Sequence, residues 1–206
     1  KRRLMHLGIG LLSTAEFSLI QAKKEILVYA KRSYKMYGFV REFFNESNEK
    51  NREQIYQRIE KYENISDRVE VEIATYLSKI SSHKLSDSTS KGIQTMFKII
   101  SDIESISDSN FSIARILRRK HESNVWFSDE MNEKINQMFN LLEEAFNAMI
   151  ENINRGHSQL NLAPAYDIEN RINTFRNKLK EEYIKDSTAN NYNYSSGVIY
   201  HDLFSV

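Results

Sequence analysis

The chain has no cysteine, one proline and six scattered glycines in 206 residues. Without cysteine there is no disulfide framework and no thiolate metal site, so stability has to come from packing. With so few breakers, long helices are expected. No run approaches the roughly 18 apolar residues that span a bilayer. Charge of one sign is missing too: 29 basic and 28 acidic residues leave a formal net charge of +1, which argues against a dedicated nucleic-acid binder while leaving room for local basic patches. Catalytic signatures are equally scarce. There is no GxxxxGK phosphate loop, Gly8 and Gly10 lack a third partner, and no Glu-x-x-His offers a ferritin-like di-iron site. The five histidines (His6, His83, His121, His157, His201) fall near helix ends and breaks and read as capping or surface residues. No catalytic role is expected.

What the chain does have is helical periodicity. A capping-box pattern at Ser13-Thr14-Ala15-Glu16 predicts a first helix running to about Phe44, with Leu27, Ala30, Tyr34, Tyr37 and Phe44 along one stripe. After the polar break NESNEKN (45–51), a second helix is predicted from about Arg52 to Ser82, with His83 and Lys84 at its C-terminal end. The segment LSDSTS (85–90) offers N-caps for a third helix, reaching about His121. Ser128 or Asp129 caps a fourth, ending near Arg155-Gly156, and Pro164 opens a fifth that reaches about Lys185. STANNYNYSSG (187–197) reads as a polar loop before a last helical start, VIYHDLFSV. No alternating strand pattern occurs.

Two acidic pairs with the same spacing stand out: Glu63 and Asp67 on the second helix, Glu104 and Asp108 on the third. Residues four apart share a helix face, so each pair sets two carboxylates side by side. The faces matter more than the spacing. Glu104 and Asp108 lie on the stripe of Ile93, Phe97, Ile100 and Phe111, and Glu63 and Asp67 border the stripe of Ile55, Ile59, Tyr62, Val69, Ile73, Tyr76 and Ile80. Asp67 stands 18 residues before Leu85 in the connecting loop and Glu104 stands 19 after it, so antiparallel packing brings the pairs to one height. Carboxylates turned towards a seam need compensating cations. A metal ion would supply them, and so would Lys61, Arg68, Lys98 or Arg115; a solvated acidic face is the third reading.

The stretch EKYENISDRVEVEIATYLSKIS, followed after its loop by MFKIISDIESISDSNFSIARIL (96–117), resembles the paired motifs of PhoU-type domains. The whole chain resembles the C-terminal PhoU-like region of bacterial sodium/phosphate cotransporter family proteins. LLSTAEFSLIQAKKEILVYAKRSYKMY is similar to that region's first helix, and DIENRINTFRNKLKEEYI (167–184) to the helix that starts its second half. The resemblance implies an all-α fold, a PhoU-like pair of three-helix bundles with the last helix truncated. Residues 13–121 would form the first bundle and 126–206 the second. Residues 1–12, opening with Lys1-Arg2-Arg3, would be a membrane-flanking segment or linker at the cytoplasmic face of the inner membrane, although the same residues also resemble a signal peptide.

The implied role is a cytoplasmic regulatory domain of a sodium-dependent phosphate transporter, or a regulator of phosphate uptake. Its partner would be the transmembrane transport domain of the same polypeptide or a phosphate transporter, with homo-oligomerisation open. In the family, acidic helix motifs can hold iron, zinc or nickel; by position, Glu63, Asp67, Glu104 and Asp108 would hold a divalent or trivalent metal ion here. The chain departs from the family in reading Ser107-Asp108-Ser109 where Gly-Asp-His or a similar triplet is frequent, and Ser112 where Asn is. Glu169 is followed four residues later by Asn173, so a second metal site is not expected. A protein-interaction bundle whose acids pair with Arg and Lys, and a metal-dependent enzyme, are the alternatives.

Overall fold

The computed structural model of the chain describes residues 15–82, 85–155, 161–188 and 194–206. The expected membrane-flanking segment and the Ser13-Thr14 half of the capping box lie outside the described residues, as do His83 and Lys84. Among the described residues there are six helices and no strand: α1 (Ala15–Asn45), α2 (Glu49–Ser81), α3 (Asp87–Glu122), α4 (Asp129–Arg155), α5 (Ala163–Thr188) and α6 (Tyr194–Leu203).

Local chemistry sets several of these ends. Asn48 holds extended backbone before α2 and its side chain accepts from the Asn51 N–H at 3.1 Å. Ser86 accepts from Thr89 N–H at 3.2 Å at the start of α3, and Ser128 from Met131 N–H at 3.2 Å at the start of α4. Beyond α3, Asn124 adopts φ 50°, the left-handed conformation that asparagine tolerates past a helix end. The Val125 N–H then donates to the Lys120 carbonyl at 3.0 Å, and the helix stops there.

The chain separates into two compact units. The first takes Lys1–Glu42 and Glu46–Phe111, the second Phe43–Asn45 and Ser112–Val206. In the first unit, α1, α2 and α3 pack around a core that includes Ile26, Met36, Ile59, Ile73, Leu77, Ile100 and Ile103, each nearly inaccessible. Contacts fix the directions. Tyr29 meets Ser66 while Phe39 meets Tyr62, so α1 and α2 run antiparallel. Tyr56 meets Phe111 while Asp67 meets Glu104, so α2 and α3 do as well. Among the α3 residues buried here are Ile93, Ile100, Ile103, Ser107 and Asn110, a stripe that takes in Ile93 and Ile100 of the expected seam and turns from it towards Ile103 and Asn110. Phe97 and Phe111 are only half-buried at its border.

The second unit has α4 and α5 antiparallel, since Glu144 pairs with Arg171 and Lys134 with Glu182. The buried face of α4 carries Met131, Ile135, Phe139 and Phe146, a spacing of four and seven. The ten residues of α6 close one end, with Tyr200 and Phe204 edge-to-face at 5.1 Å and Phe127 against Tyr200 at 5.8 Å.

Candidate metal centre

The acidic centre lies wholly within the first unit. Asp67 on α2 and Glu104 and Asp108 on α3 place one carboxylate oxygen each so that all three lie within 4.8 Å of one another. Antiparallel packing at equal distances from the connecting loop is what aligns them. Glu63, one turn earlier on α2, does not join this group, but its carboxyl feels the charges of Asp67 and Asp108. Glu70 is the residue that the motif spacing missed. It stands three after Asp67 on the same side of α2, within the field of Asp67 and Asp108, and itself acts on Glu104.

The electrostatics are those of crowded like charges. Burial and the hydrogen bond and charge of Asp108, with further repulsion from Glu70 and Asp67, push the Glu104 carboxyl up to about 7. Burial, then Asp67, Asp108 and Glu60, raises Glu63; burial, then Asp67 and Asp108, raises Glu70. The Tyr29 hydroxyl on α1 is pushed above the usual tyrosine range, by burial first and then by Glu70, Glu104 and Asp67, against the lowering effect of its Ser66 hydrogen bond. Among the described residues no lysine or arginine forms an ion pair with any of these five acids. The cations flagged by sequence, Lys61, Arg68, Lys98 and Arg115, are exposed and do not pair with the centre.

The donor set fits a metal of one kind. Three carboxylate oxygens with solvent access on the Asp67 and Asp108 side suit a hard cation that keeps part of its water. Two oxygens on opposite sides of a calcium ion stand about 4.8 Å apart, so the spacing can close around one ion. Magnesium, calcium, manganese or ferric iron match these donors better than zinc or nickel, which favour nitrogen and sulfur.

The second unit offers a contrasting feature, an open groove of about 560 Å³ between α4 and α5 that includes Asn140, Glu144, Arg171, Phe175 and Lys178. Its arginine is already neutralised, because Arg171 grips Glu144 through two bonds of 2.6 and 3.0 Å. Lys178, whose ammonium lies 3.9 Å from Glu182, is the other cation of the groove.

The family model of the PhoU domain matches residues 29–117, a span that contains Asp67, Glu104 and Asp108 as well as Glu63 and Glu70. No curated protein matches the chain. Nor does any solved structure. Among the described residues, no helix is long and apolar enough to cross a membrane.

Proposed function

We propose that the chain is a regulatory domain in phosphate homeostasis, acting at the cytoplasmic face of the inner membrane on a sodium-dependent phosphate transporter or another phosphate-uptake system. The reading rests on one observation: three carboxylates from two helices converge, with no lysine or arginine ion pair among the described residues, inside the PhoU-domain match. Asp67, Glu104 and Asp108 would hold a hard cation, with Glu63 and Glu70 adding negative field at the margin. A bound cation would supply the positive charge that no ion pair among the described residues brings to this seam. Asp67 then draws α2 towards α3; without compensation, the same residue repels Glu104 and Asp108 and loosens that seam. The outer face of α2 and α3 changes with the seam, and this face is what a transport domain would read. Regulation of this kind needs no nucleophile, in keeping with the absence of a catalytic motif.

Calorimetric titration of the full chain with Mg²⁺, Ca²⁺, Mn²⁺ and Fe³⁺ tests the centre. Phosphate uptake in cells carrying Asp67→Asn with Asp108→Asn tests its role. Binding near one ion per chain and altered uptake in the variant are expected. A chain that binds none of the four, with uptake unchanged by the variant, overturns the reading.

A second reading has its own observation. Glu104 hydrogen-bonds Asp108 with its carboxyl pushed up to about 7, so a proton can do part of what a cation would do, in a bundle that serves interaction alone. That bundle would tighten on mild acidification and ignore added metal.

A further inference from the structure

Two Ser-Asp dipeptides build the acidic centre. Ser66 precedes Asp67 on α2, and Ser107 precedes Asp108 on α3. Both serines are buried, and both are engaged by the same helix. The Tyr29 and Ser66 hydroxyls lie 2.9 Å apart, and the Ser107 hydroxyl donates to Ser33 at 3.1 Å. Tyr29 and Ser33 are four residues apart, one turn on a single face of α1, and are themselves 1% and 3% exposed. A void of about 10 Å³, at the lower limit for one water molecule, lies among these four hydroxyl residues.

We propose that Tyr29 and Ser33 are positioning residues through which α1 sets, and responds to, the spacing of Asp67 and Asp108. The proposal rests on the cation reading of the centre. Its physical basis is helix rotation. Adjacent residues on a helix are about 100° apart, so a turn of α2 about its axis moves Ser66 and Asp67 together, and a turn of α3 does the same for Ser107 and Asp108. Turning a helix by about 10° displaces its Cα atoms by about 0.4 Å and its side-chain tips further. That is enough to lengthen and misalign a 2.9 Å hydroxyl pair. A buried hydroxyl stripped of its partner is costly, so the Tyr29–Ser66 bond resists rotation of α2, and the Ser33–Ser107 bond restrains α3 more weakly. They hold the aspartates at the separation seen here. Conversely, closing the carboxylates on a cation must be felt at Tyr29 and Ser33. The Ser107 hydroxyl also lies 3.0 Å from the Ile103 carbonyl of its own helix, which offers it an alternative partner if Ser33 withdraws.

The test uses the full chain, Mn²⁺ as probe, and the variants Tyr29→Phe and Ser33→Ala, which keep the ring and most of the volume. Each variant should lose about tenfold in Mn²⁺ affinity, the low end for groups that orient ligands from outside the first shell. Addition of Mn²⁺ to the wild type should perturb tyrosine absorbance between 275 and 290 nm (roughly the usual phenol band), and the perturbation should vanish in Tyr29→Phe. Hydrogen exchange of the wild type needs no variant: the amides of residues 25–37 should gain protection with Mn²⁺ and those of α4 should not. Wild-type binding without these changes in α1, or variants that bind like the wild type, overturns the role of α1 and leaves the centre standing. A wild type that binds no Mn²⁺ overturns both.

Discussion

The two units handle their acidic residues in opposite ways. In the second, an acid facing another helix meets a base. Lys134 on α4 lies 2.8 Å from Glu182 on α5 and also contacts Glu130, and Arg171 grips Glu144. Burial alone would lower the Lys134 ammonium, but hydrogen bonds and charge from Glu130 and Glu182 outweigh it and hold the group above the usual lysine range. In the first unit, three carboxylates meet one another and no described lysine or arginine answers them. The contrast is not one of composition, since basic residues are as abundant around α2 and α3 as elsewhere. It lies in the pairing: Lys61, Arg68, Lys98 and Arg115 are exposed and form no ion pair with these acids. A unit that neutralises itself is finished as a structure, whereas one that leaves like charges together has room for a ligand.

The largest way to break that contrast is to supply the missing charge. A saturating hard cation should stabilise the protein by about 2.7 kcal/mol at a hundredfold excess over its dissociation constant, read as a shift in urea midpoint. Asp67→Asn with Asp108→Asn should abolish the shift. Lys134→Met should leave it intact, because that lysine belongs to the self-neutralised unit. An equal shift in the doubly substituted chain would put the cation elsewhere.

A proton is the weaker substitute, and its sign can be worked out. The Glu104 carboxyl sits at about 7 in the folded chain against an ordinary 4.5, so the native state binds more protons than the unfolded one between these values. Stability therefore falls as pH rises across that window, and the contribution is fully present below about 4.5. The charges that raise Glu104 are those of Asp108 from α3 and of Glu70 and Asp67 from α2, and the Tyr29 hydroxyl of α1 feels Glu104 in turn. In chelator, wild type minus Glu104→Gln should show this loss of stability from pH 5 to 7.5 (about the two sides of the transition). A flat difference would mean that the carboxyls do not repel as the structure implies.

Much of this could be read from sequence, for identifiable reasons. Helix order followed from periodicity, and caps at Ser128 and within 85–90 followed from side chains that bond the first free N–H groups. The seam of α2 was also legible: Ile55, Ile59, Ser66, Val69, Ile73 and Ile80 are buried, with Tyr62 and Tyr76 half-buried beside them. The α2 start moved three residues earlier than expected, to Glu49, because Asn48 caps it. On α3 the expected stripe of Ile93, Phe97, Ile100 and Phe111 was only partly right, since the buried face also runs through Ile103, Ser107 and Asn110, two of them polar residues that hydropathy does not mark. Glu70 is not marked by the four-residue spacing, although a three-residue step from Asp67 keeps the same side. The bonds of Tyr29 and Ser33 were beyond reach: they pair residues 37 and 74 apart in the chain, and nothing local marks a buried hydroxyl.

In the self-neutralised unit, removing the base should do what the first unit does by nature. Lys134→Met leaves Glu130 and Glu182 without their shared cation. Because the lysine is mostly enclosed while its partners reach solvent, the cost should be about 1 kcal/mol, near the top of the range for exposed pairs. Added Mg²⁺ or Ca²⁺ should recover little of it, since Glu130 and Glu182 offer two carboxylates where the first unit offers three, and a hard cation wants a larger set of oxygens. Substantial recovery would show that any pair of acids in this protein serves a cation equally well, and the contrast between the units would lose its meaning.

The smallest effect separates a ligand from a bystander within the first unit. Glu63 shares the Glu-x-x-x-Asp spacing with Asp67, yet its carboxylate is not among the three that lie within 4.8 Å of one another. It acts at a distance: its carboxyl is raised by burial and then by Asp67 and Asp108, and the same field in reverse makes the centre more attractive to a cation. Glu63→Gln should therefore weaken cation binding less than Asp67→Asn, Glu104→Gln or Asp108→Asn. It should also weaken it in a salt-dependent way. Raising ionic strength from about 0.05 to 0.5 M shortens the screening length to well below 10 Å, so the Glu63 effect should fade while the loss of a direct ligand persists. Titrations of the four variants at both salt concentrations decide the matter. A Glu63→Gln loss as large as the others, and as indifferent to salt, would move Glu63 into the coordination shell and require α2 to turn when the cation binds.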